Sequence, residues 1–545
     1  MIAPHIVSLG DSGLNVEFEN VIDPGVNARA IGLAERLQAA RLPGLRDVVP
    51  TYRTVTLHFD PLHADIEPIL AAIEEFVHAE AEPSSKRPTV IVPVRYGGEY
   101  GVDLGAVAAF AGIPEEEVIR LHSERVYRVY MLGFTPGYPY MGIVDPRIGP
   151  PRHATPRVQI PAGSVGVAGP QTSINPIAAP GGWHIIGRTP TRVFDLARDE
   201  PFLLKPGDTV KFEPADTFDA PPTTPPPARA DAAYEHGAVR ILQAGMLTTV
   251  QDLGRWGSQH LGVSVSGAMD LGSHRLVNRL LNNPDSAASF EITLLGPELQ
   301  FESDAWFAVT GAEFDLHLDK ATVPMNAVWH AKKGSRLRFG PRRRGARAYL
   351  GVAGGFDVSP VLGSRATHIA SAIGGLDGRA LTAGVRVPIG KPPERTPKLY
   401  TFRRPLVDLP DGGAALRVLI GPQSDYFTEQ AVKTLLESRY QITPDSNRMG
   451  FRLRGPVLEH ARGADIISDA TPLGGIQVPA SGDPILLMAD RQTTGGYPKI
   501  GVTITADLLL AAQLAPGDWI TFVQCEPREA MAALIAQEQA LMAGS

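Results

Sequence analysis

Four short blocks that occur twice, in the same order, constrain this chain more tightly than anything in its composition. The first set is Gln159-Ile-Pro-Ala-Gly, Gln171-Thr172, Gly181-Gly-Trp-His-Ile-Ile-Gly187 and Lys205-Pro-Gly-Asp-Thr-Val-Lys-Phe212. The second is Gln477-Val-Pro-Ala-Ser, Gln492-Thr493, Gly495-Gly-Tyr-Pro-Lys-Ile-Gly501 and Ala515-Pro-Gly-Asp-Trp-Ile-Thr-Phe522. Chance rarely gives four matched blocks in one order with only short insertions between them. The pattern predicts a duplicated β module, each copy carrying a polar, glycine-rich loop between strands. A weaker echo at Lys333-Gly-Ser-Arg-Leu-Arg-Phe339 predicts a third barrel-like module.

A chain of 545 residues is too long for one core and suggests roughly three or four domains of about 150 residues. Glycine (56) and proline (49) are both frequent, which favours many short strands joined by defined turns over long helices. The expected fold class is mainly β with α+β. Residues 1–82 alternate strand and helix periodicities, with Leu14 to Phe18 and Thr54 to Phe59 as strands and Asn27 to Ala40 and Ile66 to Glu80 as helices, giving a small α+β domain. A barrel module spans 88–215, and the proline-rich stretch in 216–236 is expected to hold the two halves apart. A first module of the second half covers 237–410. A second covers 411–545 and ends in a helix from Arg528 to Met542.

Fifty-one Lys and Arg against 58 Asp and Glu leave a net charge of −7, so no nucleic-acid partner is expected. With Cys525 alone, neither an intramolecular disulfide nor a cysteine-based zinc cluster is available, and a reducing, cytoplasmic setting fits. No membrane-spanning or targeting segment is expected. The sequence lacks a phosphate loop, a dinucleotide fingerprint, a nucleophile elbow and an H-E-x-x-H metal pair, and no bound metal is expected.

Candidate chemistry therefore rests on the repeated loops. An apolar strand before Ala489 runs straight into polar groups, which would put Asp490, Gln492 and Lys499 at a barrel rim where glycines let the backbone approach a ligand. The competing reading is a hairpin turn whose Lys499 points to water. His184 lies near the equivalent place in the first copy and could transfer a proton near neutrality, or be structural. Gln159 and Gln477 precede matched Pro residues, either in a shared role or as loop ties. Asp252 and Arg255 could form an internal ion pair, or Arg255 could grip a carboxylate or phosphate with both nitrogens. Arg342 to Arg344 reads as a solvated turn.

Longer motifs carry a resemblance. Gly133-Phe-Thr-Pro-Gly-Tyr, Pro161-Ala-Gly-Ser-Val and Gly181-Gly-Trp-His-Ile-Ile-Gly-Arg-Thr-Pro190 make the first half similar to the B subunit of bacterial 5-oxoprolinase, formerly called kinase A inhibitor or allophanate hydrolase subunit 1. Leu247-Thr-Thr-Val-Gln-Asp-Leu-Gly-Arg255, Gly267-Ala-Met-Asp270, Ala353-Gly-Gly-Phe-Asp-Val358 and Ala489 to Ile500 make the second half resemble the C subunit of the same enzyme. The chain thus looks like a B–C fusion, also similar to the carboxyltransferase region of urea carboxylase. The resemblance implies tandem cyclophilin-like β-barrels and ATP-dependent opening of 5-oxoproline to glutamate, with ATP and Mg2+ as cofactors and a separate partner resembling the 5-oxoprolinase A subunit. On these motifs, His184, Asp252, Arg255 and Lys499 are the expected catalytic residues. Gln159, Gln171, Gln251, Asp270, Gln477, Asp490, Gln492 and Tyr497 are expected to bind substrate or nucleotide. The alternatives are the carboxyltransferase component of a biotin-dependent urea or amide carboxylase, and an inhibitor that binds a sensor kinase. The family's usual Thr-Gly-Ile-Tyr-Pro stands here as Thr172-Ser-Ile-Asn-Pro176, and Ser264 replaces a usual Pro.

Overall fold

The computed structural model describes residues 4–78, 87–153, 155–218, 234–402 and 408–543. Its N-terminal part is a four-stranded antiparallel sheet in the order His5–Ser8, Gly13–Glu17, Thr54–Phe59, Leu45–Pro50. Helices Pro24–Ala39 and Ile66–Val77 pack on it through Val26, Leu33, Leu37, Ile69 and Ile73. The first helix starts earlier than its periodicity suggests, because Asp23 accepts from the Gly25 and Val26 amides at 2.7 and 3.0 Å and Pro24 occupies the first turn, where a missing N–H costs nothing.

Two closed seven-stranded barrels follow, separated by a third sheet. Taken in chain order, the first barrel's strands are Val90–Tyr96, Val126–Leu132, Pro139–Gly142, Ser164–Ala168, Gln171–Ile174, His184–Arg188 and Thr209–Pro214. Those of the second are Gly413–Ile420, Arg439–Ile442, Gly450–Arg454, Gly475–Gln477, Ile485–Leu487, Lys499–Thr503 and Trp519–Gln524. Around both barrels the neighbours run first, sixth, fourth, fifth, third, second, seventh. In both, the first and seventh strands close the cylinder in parallel. The turns into the closing strands are also the same: Asp208 accepts from the Lys205 amide and Asp518 from the Ala515 amide, each at 2.8 Å.

The duplication is therefore topological, yet only two of the four sequence blocks fall on equivalent strands. The glycine-rich and Pro-Gly-Asp blocks superpose in strand order. Gln159, by contrast, lies on the exposed ribbon strand Arg157–Ile160, while Gln477 is buried in a barrel strand. Gln171 opens a barrel strand, whereas Gln492 sits in the loop before Thr494–Gly495.

Between the barrels, the third module is an open nine-stranded sheet rather than a closed barrel. Its long strands Ala305–Leu318 and Arg336–Val352 pair with each other, and its core stacks Phe290 on Phe356 at 3.6 Å between ring centroids. The expected turn at Arg342 to Arg344 lies within the second of these strands, where Arg343 and Arg344 pair with Asp315 and Glu313. The final helix is Pro527–Met542.

The proline-rich stretch lies mostly outside the described residues, and the halves it joins are in contact. Leu132 forms a parallel bridge with Leu261, the Gly137 amide donates to Leu261 O at 2.8 Å, and Asp47 accepts from the Gly257 and Gln259 amides at 2.9 and 3.3 Å. Asp11 accepts from Thr505. The expectation that the spacer separates the halves is thus overturned by a continuous interface.

Inside the first barrel, His122 is fully buried and stacked on Phe212 at 4.6 Å. Thr172 Oγ1 donates to Gly166 O, so it accepts from His122 Nε2 at 2.8 Å, and Nδ1 then accepts from the Tyr96 hydroxyl at 2.7 Å. Burial pushes the pKa of His122 down to about 3 from 6.5. The unfolded chain therefore binds more protons than the folded one over that window, and stability falls on acidification through it. In urea titrations between pH 6.5 and 4, His122→Gln is expected to remove close to one proton from the slope, about 1.4 kcal/mol per pH unit.

Candidate active site

Each barrel carries a two-stranded ribbon beside the cylinder. In the first barrel Ala179–Gly181 pairs with Arg157–Ile160, and in the second Thr494–Gly495 pairs with Asp469–Ala470. The glycine loops that leave these ribbons lead into the sixth strands, so His184 and Lys499 are equivalent, each opening its strand. A Cβ on Gly495 would stand 2.6 Å from Gln477 Nε2 and 2.9 Å from Gln492 Nε2. Two side-chain amides thus pack directly on bare backbone.

Arg152, an exposed residue of the first half, brings Nη1 to 3.7 Å from the place a Cβ would take on Gly496. A Cβ on Gly133 would collide with Thr494 Oγ1. Behind this seam stand Tyr138, Tyr140 and Trp183. The tyrosine centroids are 5.0 Å apart, and they lie 6.0 and 6.1 Å from the indole. Tyr52 from the N-terminal domain lies 6.3 Å from Tyr140. Burial raises the pKa of all three tyrosines, so they remain protonated donors. Tyr52 Oη and Thr493 Oγ1 are buried without a hydrogen-bond partner. Such groups are costly unless something meets them. The result is a seam between the halves at which Arg152 and Gly496 meet above a buried layer of aromatic rings and hydroxyls.

Lys499 is not on this rim but behind it, fully buried. Its Nζ lies 3.7 Å from Asp469 Oδ2, within ion-pair distance but too far for a hydrogen bond. Asp469 in turn accepts from Thr54 Oγ1 at 2.7 Å and Asn15 Nδ2 at 3.2 Å. Burial lowers the pKa of Lys499 and Asp469 opposes that shift. Gln423 Oε1 accepts from the Lys499 amide at 3.1 Å. Gln477 and Tyr497 share a long contact, Nε2 to carbonyl, at 3.5 Å. The alternative of a lysine pointing to water is excluded by this burial.

His184 is half-buried. Its Nε2 donates to Pro151 O at 2.9 Å, which leaves Nδ1 as a lone pair with no partner. Its ring lies 3.9 Å from that of His153, and burial lowers its pKa. Asp103, His153 and His184 bring possible ligand atoms within 4.8 Å of one another, a grouping that sequence reasoning did not foresee. The carboxylate already holds Arg157 through both oxygens, at 2.6 and 2.7 Å, so a cation is in place there.

The other expected site residues serve the framework. Arg255 is 1 % exposed and donates to Val361 O and Ala366 O, each at 2.8 Å, so its planar fork holds a loop and grips no carboxylate. Asp252 accepts from Gly254 N, Ser364 Oγ and Arg365 N, and no ion pair joins it to Arg255. Gln251 is buried and donates to Thr249 and Thr367. Asp270 caps helix Leu271–Leu280 through Ser273 and accepts from Gln513 at 2.7 Å. Asp490 is buried against Arg448, which also binds Glu291, and burial is outweighed so that its pKa falls. Gln159 is exposed, and Gln171 keeps Oε1 buried and unpartnered.

Comparison with known proteins matches this architecture. Residues 4–204 match the family described as carboxyltransferase domain, subdomain C and D, and residues 261–524 match carboxyltransferase domain, subdomain A and B. Over 306 residues the chain is 41% identical to the C subunit of 5-oxoprolinase from Escherichia coli K12, covering 55% of this chain and 96% of that protein. Over 208 residues it is 40% identical to the B subunit of 5-oxoprolinase from Escherichia coli O157:H7, covering 38% of this chain and 94% of that one. Among solved structures, that of TTHA0988 aligns with a TM-score of 0.84 at 36% identity, over 94% of this chain and 99% of its own. The Kluyveromyces lactis urea carboxylase aligns at 0.52 and 31% identity, over 58% of this chain and 30% of that one.

The fold is a tandem of barrels of the carboxyltransferase-domain type. The chain belongs to the family that contains the B and C subunits of 5-oxoprolinase and the carboxyltransferase region of urea amidolyase, with both subunit types joined in one polypeptide. Among the described residues no helix is long and apolar enough to cross a membrane.

Arg152, Tyr138, Tyr140 and Asp469 were missed by sequence reasoning. The two tyrosines sit in the Gly-Pro-rich stretch that begins at Gly133, and Tyr140 lies on the barrel strand Pro139–Gly142. A lone arginine and a lone aspartate gave no signal at all. Gly495→Ala is expected to destabilise by about 1–3 kcal/mol, the usual cost of forcing atoms into packed space. Thermal unfolding of that variant beside Gly463→Ala, whose glycine meets nothing within 4 Å but has φ +87, checks whether contact or backbone conformation dominates.

Proposed function

We propose that the chain is the joined B–C component of an ATP-dependent 5-oxoprolinase, working in the cytoplasm with an A-type partner protein to open 5-oxoproline to glutamate. The observation that supports this most is the meeting of the two subunit-like halves at one seam, where Arg152 of the first reaches Gly496 of the second. A lactam resists water because amide resonance deactivates its carbonyl. Transfer of the γ-phosphoryl group of ATP to the carbonyl oxygen, with release of ADP, breaks the amide resonance. Water adds to that carbon and the ring nitrogen leaves as the amine, giving an acyl phosphate that a second water hydrolyses to glutamate and phosphate.

In this reading ATP with Mg2+ supplies the phosphoryl group, while the chain's own residues orient the lactam. Arg152 pairs with its carboxylate, and the Tyr140 and Thr494 hydroxyls face the ring. Lys499 acts through the backbone of the Gly495 loop as a positioning residue rather than by contact, since it is fully buried behind the seam. Arg255 and Asp252 keep the neighbouring loop in shape.

Glutamate formation from 5-oxoproline is expected only when this chain, an A-type partner protein, ATP and Mg2+ are combined. Arg152→Ala is expected to lower kcat/KM at least about tenfold, roughly 1.4 kcal/mol, mostly through KM, with the melting temperature unchanged. The similarity to urea carboxylase favours a second reading, carboxyl transfer from carboxybiotin to an amide. Absence of glutamate together with carboxylation of urea would select that reading instead.

A further inference from the structure

Away from the Arg152–Gly496 seam, a cavity of about 490 Å³ lies where the N-terminal sheet, the second barrel, helix Leu271–Leu280 and helix Pro527–Met542 meet. Its walls are largely apolar, with Val265, Met269, Leu271, Met488, Leu508 and Leu534 among them. At about 30 Å³ of liquid volume for a water-sized group, it has room for roughly sixteen such groups, and it falls in the range of small-molecule sites.

Most charges on these walls already have partners. Arg46 pairs with Asp60 at 2.5 Å and lies over Trp256, and Arg275 pairs with Asp285 and Glu538 at 2.8 and 2.6 Å. Two side chains stand apart. Arg491 is 2 % exposed. It donates to Thr471 O at 2.9 Å and Gln259 Oε1 at 3.1 Å, both neutral, and among the described residues no carboxylate lies within ion-pair distance of it. Its nearest opposite charge is Asp47, reached only through Gln259, whose Nε2 donates to Asp47 Oδ2 at 3.3 Å. A buried guanidinium whose counter-charge stands one side chain away is only partly compensated. His58 is 4 % exposed, its Nε2 has no hydrogen-bond partner, and burial beside Arg491 holds its pKa down to about 3, so the ring is neutral. It sits four residues beyond Thr54 along the same strand, on the same face.

We propose that this cavity is a second ligand site that takes an apolar monocarboxylate, its carboxylate paired with Arg491 and hydrogen-bonded by His58, its body among the leucine and methionine side chains. The ligand would give Arg491 the direct ion pair that Asp47, held off by Gln259, does not make, and bury apolar surface at the same time. Occupancy would also bear on the Gly495 loop. Thr471, which accepts from Arg491, donates through its hydroxyl to Gln492 O, and its amide donates to Thr493 O at 3.0 Å. Its methyl lies 3.3 Å from the position of a Cβ on Gly495.

Calorimetric titration of the full chain alone, without the A-type partner or ATP, tests the site with octanoate, octanol and acetate. Octanoate should bind at one site per chain, with octanol and acetate at least about tenfold weaker, since each lacks one half of the recognition. Arg491→Met should weaken octanoate by tenfold or more and leave octanol unchanged. Leu534→Trp, which fills the cavity from the terminal helix without touching the polar pair, should abolish binding of both while the chain stays folded by circular dichroism. Equal affinity for octanoate and octanol, octanoate binding that survives Leu534→Trp in a folded chain, or no octanoate binding at millimolar concentration would each overturn the proposal. None of these outcomes bears on lactam turnover, which is read separately with the partner present.

Discussion

The carboxylate of Asp469 is the point on which the arrangement of domains depends. It stands on the ribbon of the second barrel, faces Lys499 at 3.7 Å, and is held by Thr54 and Asn15 from a domain more than 400 residues earlier in the chain. A buried lysine and aspartate are tolerable only when each offsets the other's loss of water and further hydrogen bonds complete the carboxylate. The N-terminal sheet supplies those bonds. It therefore acts as the cover that makes a charged pair at the barrel end possible, and through that pair it fixes the Gly495 loop against the first half.

The same requirement explains what the sequence showed and what it hid. Periodicity and turn chemistry located the small α+β domain and both barrels, because a strand's alternation and a Pro-Gly-Asp turn are local. The Asp208 and Asp518 caps are recognisable from four consecutive residues. Register between distant segments is not local. Gln159 and Gln477 look alike because each precedes an apolar residue and proline, yet one lies on a ribbon and the other in a barrel wall. The echo at Lys333 to Phe339 points to a barrel-like module between the barrels, and the sheet found there is left open, because one strand-like block says nothing about closure.

At the site, the glycine loops were legible, since two adjacent glycines before an aromatic residue mark a close backbone approach. The roles of the polar residues around them were not. Arg255 looks in sequence like an anion grip but spends its donors on the carbonyls of a loop more than 100 residues away. Lys499 looks like a rim residue and is sealed behind one. Asp469, which ties the second barrel to the N-terminal sheet, and Arg152, which reaches the Gly496 loop, have no neighbours in sequence to announce them. Burial and long-range pairing decide such roles, and neither is written in a short motif.

The seam at which the Gly133 backbone lies against the Thr494 side chain, and Gly262 against Thr135 O, is built by residues outside the proline-rich connection. Severing the peptide there would leave these contacts intact and remove the high effective concentration that a tether provides. A chain like this one and a pair of separately encoded proteins can then share one interface, and they differ in how strongly assembly responds to dilution.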